Sequence, residues 1–224
     1  MNDDFNIGEI VTPPAFQQLG IFVIDGSGSM TGKTSGSLSK AEAVNLAVKE
    51  TLTRFKVSRK KDCFSFSVVA FGDHAKMVTP RQKGMDIDDY ADYNPLQFFD
   101  NGTGSSSTNI ASGLDEALKI ANEFFANKES SVPHKVAIVV LTDGMCHHEA
   151  DTKRVADQIK QNPNVQIFCC CLEELGQSYT EAETLLKYVA TNPTEGYRSV
   201  YDKDTIRGFF VNSITAASGM AKIE

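Results

Sequence analysis

The chain has 224 residues, 41% of them hydrophobic, and a formal net charge of −7. A chain of this length can bury one large core without disulfides or structural metals, and its acidic balance excludes the broad basic footprint that non-specific nucleic-acid binding needs. No segment approaches the roughly 18 apolar residues of a membrane span, and the start MNDDFNIGEIVTPP has no basic region followed by an apolar run. The expectation is a soluble, unexported, cytoplasmic domain over 1–224 that binds neither nucleic acid nor membrane, with residues 1–18 as an N-terminal extension. Five cysteines, an odd number without any CxxC pair, point to reduced thiols.

Apolar runs and helical patterns alternate along the chain, which predicts an α/β domain with a mostly parallel sheet covered on both faces. Leu19 to Ile24 reads as the first strand, ending at Asp25. Ser39-Lys-Ala-Glu42 has the S-x-x-E form of a capping box and opens a helix with Ala43, Leu46, Ala47 and Leu52 at helical spacing, ending near Val57. Cys63 to Phe71 is the second strand, and Phe71 to Thr79 predicts a tight turn into a short antiparallel edge strand.

Residues 80–107 read as a long loop, acidic at Asp86, Asp88, Asp89 and Asp92 and aromatic at Tyr90, Tyr93, Phe98 and Phe99. Loops of this length in a compact domain are usually functional. A helix from near Thr108 places Ile110, Leu114, Leu118, Ala121 and Phe125 on one face, and Lys135 to Thr142 is the most apolar strand, as a central parallel strand should be. A helix at 150–161, a strand from Val165 to Leu172, a helix at 180–190, a strand from Tyr197 to Tyr201 and a helix from Thr205 to Ala217 complete the alternation. The run Cys169 to Cys171 suits a buried strand.

Three oxygen-rich segments fall where a doubly wound sheet places its ligand site: Asp25-Gly-Ser-Gly-Ser29, Thr108-Asn109 and Thr142-Asp143-Gly144. Carboxylates at Asp25 and Asp143 and hydroxyls at Ser27, Ser29 and Thr108 form a hard donor set. Such donors select Mg²⁺, with Mn²⁺ or Ca²⁺ as substitutes, over Zn²⁺. Two carboxylates only balance a dication, so the ion can accept one more anionic oxygen, such as a partner's carboxylate.

Asp25-Gly-Ser-Gly-Ser29 with Thr108 and Asp143 resembles the metal-ion-dependent adhesion site of von Willebrand factor type A domains, and the element order is similar over nearly the whole chain. The resemblance implies a Rossmann-like fold with Mg²⁺ at the top of the sheet. It implies that Ser27, Ser29 and Thr108 coordinate directly or nearly so, and that Asp25 and Asp143 act directly or through water. It further implies an interaction module rather than an enzyme, in which the Asp or Glu of a protein ligand completes the shell. Met30, Asn109, Met145, His147 and His148, with the 80–107 loop, are expected to form the partner-binding rim. In size the chain resembles stand-alone bacterial A-domain proteins of stress-response signalling, tellurite-resistance proteins among them.

Competing patterns are less complete. Ser27 to Thr34 nearly matches a phosphate-binding loop, but Ser27 stands where the first Gly is needed and Thr34 to Ser39 separate the loop from the helix. Cys146, His147, His148 and Glu149 contain neither HExxH nor a paired Cys/His set. The acidic run Asp86 to Asp92 lacks the Gly and Glu of a calcium loop and reads as solvated, and Phe98 and Phe99 read as packing residues. A metal-dependent hydrolase or phosphatase using the same ion to activate water is the alternative function.

Overall fold

The computed structural model describes residues 15–83, 90, 92–95, 105, 107–127, 132–144, 146–174 and 179–220. Six strands form one sheet: β1 (Gln17–Asp25), β2 (Phe64–Phe71), β3 (Ala75–Lys83), β4 (His134–Thr142), β5 (Val165–Leu172) and β6 (Tyr197–Val200). Their spatial order is β3-β2-β1-β4-β5-β6, parallel except for β3, which pairs antiparallel with β2 at the edge. The expected α/β class, Rossmann-like and mostly parallel, is what the chain adopts. The antiparallel strand is longer than its sequence suggested: it runs nine residues to Lys83, so it absorbs the first residues assigned to the 80–107 loop.

Among the described residues five α-helices cover the sheet: α1 (Lys40–Lys56), α2 (Ile110–Ala126), α3 (Glu149–Lys160), α4 (Thr180–Val189) and α5 (Lys203–Ser218). Strand alternation sorts the core into two layers. Phe22 and Ile24 of β1 meet Val48 and Phe55 of α1 and Ile206 and Phe210 of α5. Ile21 and Val23 meet Leu114 of α2, Val155 of α3 and Leu186 of α4. Both layers are needed because β1 and β4 are apolar on both faces, as inner parallel strands are.

Helix α1 starts where its capping box predicts. Ser39 Oγ accepts from Glu42 N–H at 3.2 Å while the Glu42 carboxylate accepts from Ser39 N–H at 2.7 Å. On two helices the expected face buries at most positions, Ala43, Ala47 and Leu52 on α1 and Ile110, Leu114 and Ala121 on α2, and departs from expectation at its margin. Leu46 points outward at 39% exposure while Ala43, Val44, Ala47 and Val48 bury, and on α2 Ala117, Ile120 and Phe124 are buried where Leu118 and Phe125 only pack at the margin. In both cases the 3.6-residue period was right and the phase was set by the sheet. Cys169, Cys170 and Cys171 are fully buried free thiols in β5, and burial pushes their ionisation far upward, which fits the expected packing role.

Helix α2 lies close to the sheet because Gly113 has no side chain. A Cβ there would stand 2.7 Å from Val23 Cγ1 and 2.9 Å from Phe71 Cδ1, whereas one at Gly208 of α5 would meet nothing within 4 Å. Alanine favours a helix over glycine by about 1 kcal/mol, but overpacking a core costs about 1–3 kcal/mol. Gly208→Ala should therefore raise stability in urea unfolding by up to about 1 kcal/mol, and Gly113→Ala should lower it despite the same gain in propensity; equal shifts would contradict this packing.

Candidate metal centre

The sheet order reverses between β1 and β4, since the chain builds outward from β1 to β3 on one side and from β4 to β6 on the other. At such a switch point the loops leaving adjacent strands diverge and open a crevice. Ile24 pairs with Leu141, so Asp25 and Thr142 stand side by side at the strand ends, with Asp143 one residue beyond. Asp25 is fully buried. Its Oδ1 accepts from Ser27 N–H at 2.8 Å and its Oδ2 accepts from Thr142 Oγ1 at 2.5 Å.

From there a chain of oxygens leads outward. Ser27 Oγ and Ser29 Oγ lie 2.8 Å apart, and Ser29 Oγ donates to Asp143 Oδ1 at 2.7 Å. The D-x-S-x-S loop makes this possible by turning through a short 3-10 segment, Gly28–Thr31. Asp25, Ser27 and Asp143 are buried, whereas Ser29 is exposed, so the cluster opens to solvent on the Ser29 side.

Thr108 reaches the same rim through its backbone. Its N–H donates to His147 Nδ1 at 3.2 Å and its carbonyl accepts from His147 N–H at 3.1 Å, which ties it to the segment following Asp143. Nearby, Gly28 N–H donates to the Ser105 carbonyl at 3.0 Å, joining the loop that carries Ser27 and Ser29 to the approach to Thr108. Asp25, Ser27, Ser29 and Asp143 are thus linked directly, and Thr108 is anchored beside them.

Of the expected rim, His147 and His148 are exposed and Asn109 is half-buried as the cap of α2, its side chain accepting from Ser112 N–H. Met30 is a correction. It is fully buried and packs in the α1 core layer, because the 3-10 turn folds it inward, and it offers no surface to a partner. Met145, Phe98, Phe99, Asp86, Asp88 and Asp89 lie outside the described residues.

Several supporting residues escaped sequence reasoning. Thr142, given no role of its own within the Thr142-Asp143-Gly144 segment, is the donor to Asp25. Tyr93 donates from its hydroxyl to the Asp25 carbonyl at 3.2 Å, and Asn45 accepts from the Tyr90 hydroxyl at 2.8 Å and donates to the Tyr93 carbonyl at 2.9 Å. This part of the acidic loop therefore packs against α1. Lys40, inside the capping-box motif, sends its ammonium to Asp143 Oδ2 and to Glu174 Oε1, both at 2.8 Å. A lysine on the first residue of a helix opposes the helix dipole, and that conflict was the available signal.

The electrostatics follow from crowding two carboxylates. Burial and the neighbouring charge of Asp143 push Asp25 up to about 6, against the pull of its bonds from Thr142 and Ser27. A pair of carboxylates and a run of hydroxyls in reach of one another, all oxygen, fit a hard divalent cation. Among the described residues no group of three or more His, Cys, Asp or Glu side chains is placed to hold a metal.

The von Willebrand factor type A domain matches residues 21–210. The chain belongs to that family. Its A domain is similar in fold to the pilus adhesin SpaC of Lactobacillus rhamnosus GG, with a TM-score of 0.65 at 12% identity over 90% of this chain and 30% of that one. It is also similar to proximal thread matrix protein 1 of the mussel byssus, solved with a zinc-occupied MIDAS motif, at TM-score 0.61 and 17% identity over 91% of this chain and 46% of that one. The protein BatB of Bacteroides thetaiotaomicron matches at TM-score 0.60 and 15% identity over 90% of this chain and 98% of that one. The A domain thus spans less than half of the adhesin and of the byssus protein. No curated protein matches it significantly. Domains of this family are typically binding modules for protein ligands.

The Thr142 hydroxyl is the donor nearest the buried carboxylate of Asp25. A hydrogen bond to a charged group contributes about 1.5–3 kcal/mol, and its loss leaves the carboxylate less well satisfied. Thr142→Val should lower stability by about that amount in urea unfolding with chelator present; an unchanged midpoint would contradict the role assigned to this bond.

Proposed function

We propose that the domain is a divalent-cation-dependent module that captures an acidic side chain of a partner protein. The observation that carries the reading is the oxygen chain Ser27–Ser29–Asp143 beside buried Asp25, open to solvent at Ser29. Ser27, Ser29 and Thr108 would hold Mg²⁺, or Mn²⁺ or Ca²⁺ in its place, with Asp25 and Asp143 supplying the negative charge directly or through water. A bound dication supplies a strongly polarising centre that can accept one further carboxylate oxygen. The mussel protein with its zinc-occupied motif supports a cation at the corresponding place, without fixing which ion is used here.

The chain's own residues do the rest. Thr142 and the Ser27 N–H orient Asp25, and Tyr93 braces the strand end from which it projects. His147, hydrogen-bonded to Thr108, and His148, both exposed, would select among acidic partners. We place the protein in the cytoplasm, as an adaptor in a stress-signalling assembly of the tellurite-resistance kind. The free, buried thiols of β5 are consistent with a reducing compartment.

Calorimetric titration of Mg²⁺ should show one site that Asp25→Ala and Ser29→Ala weaken at least tenfold. A pull-down from native lysate should retain a partner with Mg²⁺ and lose it with chelator or with Asp25→Ala. Equal recovery of that partner in all three conditions would eliminate the proposal.

A further inference from the structure

Lys40 is out of place by every local rule. It is the first residue of α1, where the helix dipole disfavours a cation, and its side chain is only 6% exposed. A buried ammonium without partners is strongly destabilising, so its position is justified only by what it touches. It touches the metal centre: Nζ lies 2.8 Å from Asp143 Oδ2 and 2.8 Å from Oε1 of half-exposed Glu174.

Asp143 is divided by this contact. Oδ1 faces the serine hydroxyls and accepts from Ser29, while Oδ2 is held by Lys40. The lysine thus approaches from the oxygen turned away from Ser27 and Ser29, orienting the carboxylate without filling the hydroxyl side. Asp25 and Asp143 carry two negative charges between them, and Lys40 leaves the cluster with one. A divalent cation held on the Oδ1 side, directly or through water, would share this carboxylate with the ammonium at Oδ2, and the two cations would repel each other.

We propose that Lys40 is a resident counter-cation of this centre, a positioning residue that braces Asp143 when no ion is present and holds the affinity for a divalent ion down. The inference rests on the metal-binding reading above. Glu174 moderates the repulsion, because it holds the ammonium from the far side and adds a second negative charge beside it. A role in packing alone would make loss of Lys40 weaken metal binding; charge compensation makes it strengthen binding.

The test is Mn²⁺ titration, by calorimetry and by the free-ion electron paramagnetic resonance signal, into chelator-stripped protein at pH 8. Lys40→Met keeps the length of the side chain and removes its charge, and should bind Mn²⁺ about tenfold more tightly than wild type. Lys40→Arg should stay within about threefold of wild type. Without metal, Lys40→Met should melt at a lower temperature than wild type, and saturating Mn²⁺ should raise its melting temperature by more than it raises that of wild type. Should Lys40→Met fail to fold, Glu174→Gln, which leaves Lys40 on Asp143 and removes the moderating charge, should bind Mn²⁺ two- to threefold more weakly. Equal or weaker binding by folded Lys40→Met, or unchanged or tighter binding by Glu174→Gln, overturns the inference about Lys40 while Asp25-dependent binding by wild type leaves the metal reading intact. Failure of folded wild type to bind Mn²⁺ overturns both.

Discussion

Two carboxylates that would repel each other in isolation are held together at the switch point of the sheet, and the rest of the molecule is arranged around that pairing. Asp25 ends β1 and Asp143 follows β4; the in-register pairing of Ile24 with Leu141 brings them together. Burial makes the arrangement costly for Asp25, whose ionisation is displaced upward by desolvation and by its neighbour's charge. The hydroxyl of Thr142 and the N–H of Ser27 offset part of that cost at Asp25, while the ammonium of Lys40 holds the neighbouring Asp143.

The scaffold's regular parts can be understood as support for this constraint. Strands β1 and β4 are apolar on both faces, so their ends are fixed by two core layers. The loop after β1 is braced on one side by Tyr93 and Asn45 and on the other by the Ser105 segment, which also ties to the β2–β3 turn where the Ser105 hydroxyl accepts from Asp73 N–H. The His147 ring and backbone then clamp Thr108 to the segment leaving β4. Side chains separated by more than a hundred positions are placed by hydrogen bonds between loops, while the sheet supplies the common platform.

Most of the fold was legible because its signals are local: apolar runs for inner strands, 3.6-residue spacing for helices, and a capping box that starts α1 where Ser39 and Glu42 predict. What the sequence concealed depended on tertiary phase. Leu46 and Leu118 have the right period but sit one position off the buried face, since a helix's rotation is decided by the sheet beneath it. Met30 follows a serine-rich loop and reads as exposed, yet a single 3-10 turn carries it into the core. The D-x-S-x-S motif was visible because its ligands are close in sequence. Lys40 and Glu174 were not, because an ion pair spanning β1's crossover and the end of β5 leaves no pattern beyond an ill-placed lysine at a helix start.

The account stands on convergence of the Asp25, Ser27, Ser29, Thr108 and Asp143 oxygens upon one hard cation. An anomalous difference map from crystals soaked in Mn²⁺ addresses it most directly. It should show a single strong peak in contact with Ser27 Oγ and Ser29 Oγ, with Thr108 and the two aspartates within direct or water-bridged reach. A peak elsewhere on the surface, or none in this crevice at saturating Mn²⁺, would contradict it.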